Sequence, residues 1–255
     1  MRFPKPRHKK TPFLRTFLGC LTILLCAKAA PLSAQQAPVT VKFNVVKRGA
    51  GNQTAGVPDA SNIVVWLTPE GNARDASAAA PAKRPLPKLV QRNKTFDPHV
   101  LVIQTGTSVE FPNEDPFFHN VFSLFDGKRF DLGLYEAGTS KTVRFERSGV
   151  SFLFCNIHSD MSAIIVSVDT PYFALSDRSG RASISAVPDG RYQLHVWYER
   201  SSPDDLKALE RTVAISGAAR DLGTIQLLEN ADFTLAHKNK YGEDYVPAPT
   251  DGYAQ

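Results

Sequence analysis

Gly149-Val150-Ser151-Phe152-Leu153-Phe154-Cys155-Asn156-Ile157-His158-Ser159-Asp160-Met161-Ser162-Ala163-Ile164-Ile165-Val166-Ser167-Val168 holds two short apolar runs on either side of a polar-rich connection. The runs 151–155 and 163–168 are too short for helices of ~10–12 residues and are rich in β-branched and aromatic side chains, so each reads as a strand. Residues 156–162 are then the loop between them. Similar runs recur at 39–46, 63–67, 99–103, 107–111, 142–145, 192–198, 212–215 and 224–228, with Gly, Pro, Asn or Asp in between. Short strands at such spacing predict an all-β chain built of sandwiches. One short helix is expected from Ser202, where Ser-Pro-Asp-Asp supplies a cap, a first-turn proline and acidic residues suited to the dipole. It should end near Arg211.

The first 34 residues read as an export signal. Arg2, Lys5, Arg7, Lys9, Lys10 and Arg15 form a basic front, followed by 12 uncharged residues at 16–27 and small residues up to Ala34. The uncharged run is shorter than the ~18 residues of a spanning helix, so a Sec-type leader and a periplasmic or otherwise exported product are expected, with no membrane span in the mature chain. Seven of the 30 basic and none of the 25 acidic residues lie in 1–34, leaving 23 against 25 and a net charge of −2. That removes the electrostatic basis for nucleic-acid binding. Cys20 and Cys26 go with the leader, so one of the three cysteines remains, Cys155. An unpaired thiol in an exported chain points to a ligand or a reactive group.

Cys155, His158 and Met161 stand three residues apart and put a thiolate, an imidazole and a thioether into one short loop. Apart from the initiator, Met161 is the only methionine. Phe111-Pro112-Asn113-Glu114-Asp115-Pro116-Phe117-Phe118-His119-Asn120 offers a second imidazole, His119, expected on a different loop in front of 121–123. Singly, a buried cysteine or methionine is most often a packing residue. Together, two imidazoles, a thiolate and a thioether are the donor set of a mononuclear copper site, trigonal His119, Cys155 and His158 with axial Met161. Zinc more often takes several cysteines, or three protein ligands and a water. Outside this set the mature chain has His99, His195 and His237, too few and too scattered for the further coppers of a multicopper enzyme.

The runs Val109-x-Phe111-x-Asn113, His119-Asn120-Val121 and 149–155, then His158 and Met161, resemble a cupredoxin, with the loop spacing of its amicyanin-type members rather than the longer plastocyanin gap. The region also resembles exported proteins labelled "methylamine utilization protein". The resemblance implies a Greek-key β-sandwich holding one type 1 copper per chain, with His158 as the solvent-edge ligand and Asn120 tying the two ligand loops together. It further implies one-electron transfer by transient docking to a redox protein, without catalysis. Ile157 stands where such loops often carry a proline.

Asp177-Arg178-Ser179-Gly180-Arg181 and Val187-Pro188-Asp189-Gly190-Arg191-Tyr192-Gln193-Leu194-His195-Val196 resemble a carboxypeptidase regulatory-like (transthyretin-like) sandwich, a second small β-sandwich. The expected order is a signal at 1–34, the first strands of that sandwich at 35–69, a flexible linker at 70–85, the cupredoxin domain at 86–169, the rest of the regulatory-like sandwich at 170–235 and a flexible tail at 236–255. His99 reads as a strand-start residue, with orientation of a ligand as its sharper alternative. His195 reads as a solvent-facing strand residue, and His237 as a tail residue without a role. Phe117 and Phe118 are either core or an apolar rim around the site. Asp160 is either a modulator of the site or a solvated loop residue. Lys83, Arg84, Lys88, Arg92 and Lys94 either attract an acidic partner or keep a linker solvated. The alternative function is a copper-binding or structural interaction module without electron transfer.

Overall fold

The computed structural model describes Met1 and residues 37–47, 59–71, 85–124, 127–230 and 237–245. The expected leader, most of the expected linker and the end of the tail lie outside the described residues. Those residues form β1 (Val39–Lys47), β2 (Val64–Pro69), β3 (Val90–Arg92), β4 (Thr95–Asp97), β5 (Val100–Gln104), β6 (Ser108–Pro112), β7 (His119–Ser123) and β8 (Phe130–Tyr135). They continue with β9 (Ser140–Arg144), β10 (Gly149–Phe154), β11 (Ser162–Val168), β12 (Phe173–Leu175), β13 (Arg181–Ile184), β14 (Gly190–Trp197), α1 (Pro203–Lys207), β15 (Arg211–Ile215) and β16 (Asp221–Glu229). Among the described residues the chain is all-β apart from one short helix. Among the described residues, no helix is long and apolar enough to cross a membrane.

Strands from the two ends of the chain share sheets. β13-β1-β16 forms one and β12-β2-β14-β15 the other. In β1 the side chains alternate strictly, with Val39, Val41, Phe43 and Val45 buried and Thr40, Lys42 and Asn44 exposed, as a strand with one face in a core requires. These pack with Val65, Leu67, Tyr192, Leu194, Ile225 and Leu227 into one apolar core. The turn at 177–181 is tied to it. Phe43 N–H donates to the Gly180 carbonyl, and Gly180 has φ +78°, where an added Cβ would collide with the Phe43 carbonyl oxygen.

Between β2 and β12 the chain forms a second set: the sheet β5-β11-β10-β7-β8 and the pairs β6-β9 and β3-β4. β11 pairs antiparallel with β10 and parallel with β5, and is buried along nearly its whole length. The period of two explains this. Ala163 and Ile165 point into the core with Leu89, Val109, Phe111, Val121, Leu153 and Met161, while Ile164, Val166 and Val168 point the other way. There they meet Val64 and Val100, with Trp66, Phe173 and Trp197 packed around them, so the two sets of sheets share an apolar layer. Five fully buried aliphatic side chains at about 1.5–3 kcal/mol each make this layer worth on the order of 10 kcal/mol before entropy is counted.

Two local expectations change. α1 stops at Lys207 instead of running to Arg211. Ser202 caps it by accepting from Asp205 N–H at 3.2 Å, but Arg211 is already paired with Leu194 in the β15–β14 ladder. Pairing with a buried strand overrides a helix too short to hold itself together. His119 is not in a loop but begins β7, opposite Tyr135 of β8. The runs of β7 and β8 give no clean alternation because every residue of β7 is buried.

Candidate metal centre

Three side chains converge where β7 begins and β10 ends. His119 opens β7 and Cys155 lies one residue beyond β10; both are fully buried, and His158 is half-buried on the following loop. The Cys155 sulfur is 3.7 Å from His119 Nδ1 and 3.6 Å from His158 Nδ1. One ligand atom from each of the three residues fits within 4.8 Å of the others. A first-row ion bonded to sulfur at about 2.3 Å and to nitrogen at about 2.0–2.1 Å, at angles from tetrahedral to trigonal, holds such atoms roughly 3.5–3.8 Å apart. The donors are spaced for such an ion, and a thiolate with two imidazoles is a soft set that suits copper.

The loop is closed by its own backbone. Cys155 N–H donates to the Met161 carbonyl at 3.1 Å, and Met161 N–H to the His158 carbonyl at 3.2 Å. Met161 is fully buried in the same core as Cys155. The three residues of the loop motif therefore share one tight turn, and His119 reaches them from 36 residues upstream.

The electrostatics favour a neutral His158 imidazole and a Cys155 thiol that ionises when something takes its proton. Burial pushes the Cys155 thiol above its ordinary value, opposed by the amides of Asn120, Ile157 and His158, which point at the sulfur. Burial also pushes His158 below the usual histidine value, helped by His119 and Lys94, so its ring is neutral at neutral pH with a lone pair available.

His119 is oriented by a carboxylate. Its Nε2 lies 2.8 Å from Asp115 Oδ2, which places the ring proton there and leaves Nδ1 to face the sulfur. Asp115 is itself buried and accepts from the Asn93 and Lys94 amides at 2.6 and 2.9 Å. Both of these residues have φ +55° in the turn between β3 and β4, so two successive N–H groups point one way. Burial alone would raise the Asp115 carboxyl, but the bonds from Lys94, His119 and Asn93 outweigh it and hold the group below its usual range. Asn113 shapes the same loop, donating to the Phe117 and Tyr135 carbonyls at 2.8 and 3.2 Å and accepting from Asp115 N–H at 3.1 Å.

Phe117 lies edge-on to His119 and tilted against His158, with ring centroids 5.2 and 5.8 Å away. Phe118 and Ile157 are exposed beside the site, at 55% and 45%. The two phenylalanines thus divide between wall and rim. Asp160 is exposed and accepts from the Ser159 hydroxyl. The Asn120 side chain turns to Asp131 Oδ1 at 2.7 Å, and only its backbone amide approaches the sulfur.

His99 and His195 are elsewhere. His99 bridges the two sets of sheets, with Nε2 2.9 Å from Glu199 and Nδ1 3.3 Å from the Ser162 carbonyl. His195 stacks on Trp66 at 5.0 Å and lies 3.0 Å from Glu210. Lys88 and Arg92 pair with Glu110 and Glu114, and Lys94 sits over the Phe117 ring; Lys83 and Arg84 lie outside the described residues. Residues 237–245, expected in a loose tail, lie against the site. His237 stacks on Phe154 with centroids 4.1 Å apart, and the Tyr245 hydroxyl donates to the Cys155 carbonyl at 2.6 Å. Burial pushes the Tyr245 phenol up to about 12, so it remains a donor. Asp115 had a signal in its place four residues before His119; Tyr245 had none.

No protein family and no curated protein matches the chain. Among solved structures it is similar to a purple cupredoxin from Nitrosopumilus maritimus, at 22% identity and TM-score 0.30 over 32% of this chain and 98% of that one. It is also similar to a reduced amicyanin variant, at 17% identity and TM-score 0.31 over 36% of this chain and 89% of the other. A third is a copper-containing nitrite reductase from Thermus scotoductus, at 23% identity and TM-score 0.32 over 49% of this chain and 28% of that enzyme. The reading of the site rests on its own atoms.

Proposed function

We propose that the chain is an exported type 1 copper protein that carries single electrons between redox partners. One copper would be held by His119, Cys155, His158 and Met161. The observation that carries the reading is the pair of imidazole nitrogens, 3.6 and 3.7 Å from one fully buried sulfur. Bound there, copper supplies a one-electron couple. The chain's own residues do the rest. Asp115 fixes which nitrogen of His119 faces the sulfur, the three amides at Cys155 favour its ionised form, and the hydrogen-bonded 155–161 turn limits how far the donors move between oxidation states. Buried walls at Cys155 and His119 keep water away, and His158, half-buried beside Phe118 and Ile157, is the edge at which a partner docks. Four protein donors leave no position for a substrate, so no catalysis is assigned.

The test is visible absorption and EPR of the Cu(II)-loaded protein beside Cys155→Ser. An intense thiolate-to-copper band with narrow hyperfine splitting, absent from the variant, is expected. A colourless protein, or a weak copper signal indifferent to Cys155, would leave a structural or binding module.

A further inference from the structure

Cys155 stands one residue past the end of β10, whose ladder with β7 has the one registered pair Phe154↔Phe122. Its carbonyl is buried where the sheet no longer supplies a donor, and a buried carbonyl needs one. The donor is the Tyr245 hydroxyl, 90 residues away in sequence. The remainder of that segment is laid along the same end of the sheet. The His237 ring covers Phe154, and its Nδ1 is 3.2 Å from the Tyr245 hydroxyl. Lys240 N–H donates to Asn156 Oδ1 at 2.9 Å, and Lys240 Nζ reaches Asp131 Oδ2 at 2.8 Å. The other oxygen of Asp131 holds Asn120, whose amide points at the sulfur. The segment is also closed on itself, with Asn239 N–H donating to the Glu243 carbonyl and Asn239 Oδ1 accepting from Tyr241 and Glu243 N–H. It therefore meets both donor-bearing elements, β7 through Asp131 and the 155–161 turn directly.

We propose that residues 237–245 are a clasp on the cysteine side of the centre. Tyr245 is a positioning residue that holds the Cys155 backbone and thus the direction of its sulfur. His237 and Lys240 close that side, so that exchange with solvent and partners runs through the His158 edge. The closing half concerns the thiol itself; the half that concerns copper rests on the function proposed above.

The experiment follows alkylation of Cys155 by iodoacetamide in the copper-free full chain, read at that residue by peptide mass spectrometry. It compares the wild type, Tyr245→Phe, Tyr245→Ala and Lys240→Ala, with thermal melts of each. Removing the hydroxyl should speed alkylation about fivefold, with melting lowered by only a few degrees in Tyr245→Phe, which keeps the ring. Tyr245→Ala should be faster again. The same variants loaded with copper should show a shifted thiolate-to-copper band and a lower reduction potential in Tyr245→Phe, because the hydroxyl's positive end favours the more negative, reduced centre. Equal alkylation rates across the set overturn the clasp, whether or not the protein is blue. A protein that binds no copper but whose Cys155 is unmasked by Tyr245→Phe keeps the clasp and rejects the carrier.

Discussion

The two sets of sheets are built from strands of similar length and alternation, but their interiors differ. Around β1, β2 and β14 the core is hydrocarbon and aromatic, from Val39 through Phe43 to Leu227. Around β7 and β10 a comparable core ends in a buried polar group comprising Asn113, Asp115, His119 and Asn120, each at most 5% exposed. Burying polar groups costs stability unless each is hydrogen-bonded. Here each of the four residues finds a partner, down to two amides of the β3–β4 turn aimed at Asp115, while Asn120 Oδ1 is left without one. One interior only holds the chain together, while the other also holds an arrangement of donors that packing alone would not select. Their shared layer at Val64, Val100, Ile164, Val166 and Val168 fastens the second to the first.

The most forceful way to separate the two interiors is Phe43→Ala. A fully buried phenylalanine in the hydrocarbon core should cost about 3–5 kcal/mol, measured by urea unfolding. The copper spectrum of the folded fraction should not change; if it does, the two interiors are not independent. Asp115→Asn should do the reverse. It keeps the volume but withdraws the carboxylate from His119, and should weaken copper binding about 10–100-fold in a chelator competition. It should also flatten the acid limb of stability. The Asp115 carboxyl lies below its usual value in the fold, so its contribution is present above the unfolded value and is lost as pH falls through the folded one.

The smallest effect is expected where the two regions meet. The Glu199 hydrogen bond raises His99 above the ordinary histidine value despite its burial, so the charged pair stabilises the fold fully below the unfolded pKa of about 6.5 and is lost as pH rises through the folded value. His99→Gln should remove that loss of unfolding free energy across mildly acidic to mildly alkaline pH. The change should be within about 1 kcal/mol for a partly exposed pair, and an unaltered profile would place the coupling elsewhere.

Most strands could be read in the sequence wherever one face is buried and the other wet, as in β1 and β14, or wherever both faces are apolar, as in β11. β7 and β8 could not. His119-Asn120-Val121-Phe122-Ser123 is buried throughout despite three polar residues, and that burial is set by neighbouring strands rather than by the strand itself. The helix beginning at Ser202 was legible in its cap and not in its end, since the cap is local and the end is imposed by pairing with β14.

The same division runs through the site. Sequence alone determined that Cys155, His158 and Met161 share a turn, because three-residue spacings in a loop between two strands leave them nowhere else to go. It also determined the donor chemistry, which belongs to the side chains. It named His119 as a candidate as well; tertiary structure decided that this ring lies 3.7 Å from the Cys155 sulfur, that Asp115 orients it, and that Tyr245 and His237 lie against the cysteine side. Those contacts join residues up to 90 positions apart, and such distances are closed only by the pairing of whole strands and the burial of whole faces, which no local pattern encodes.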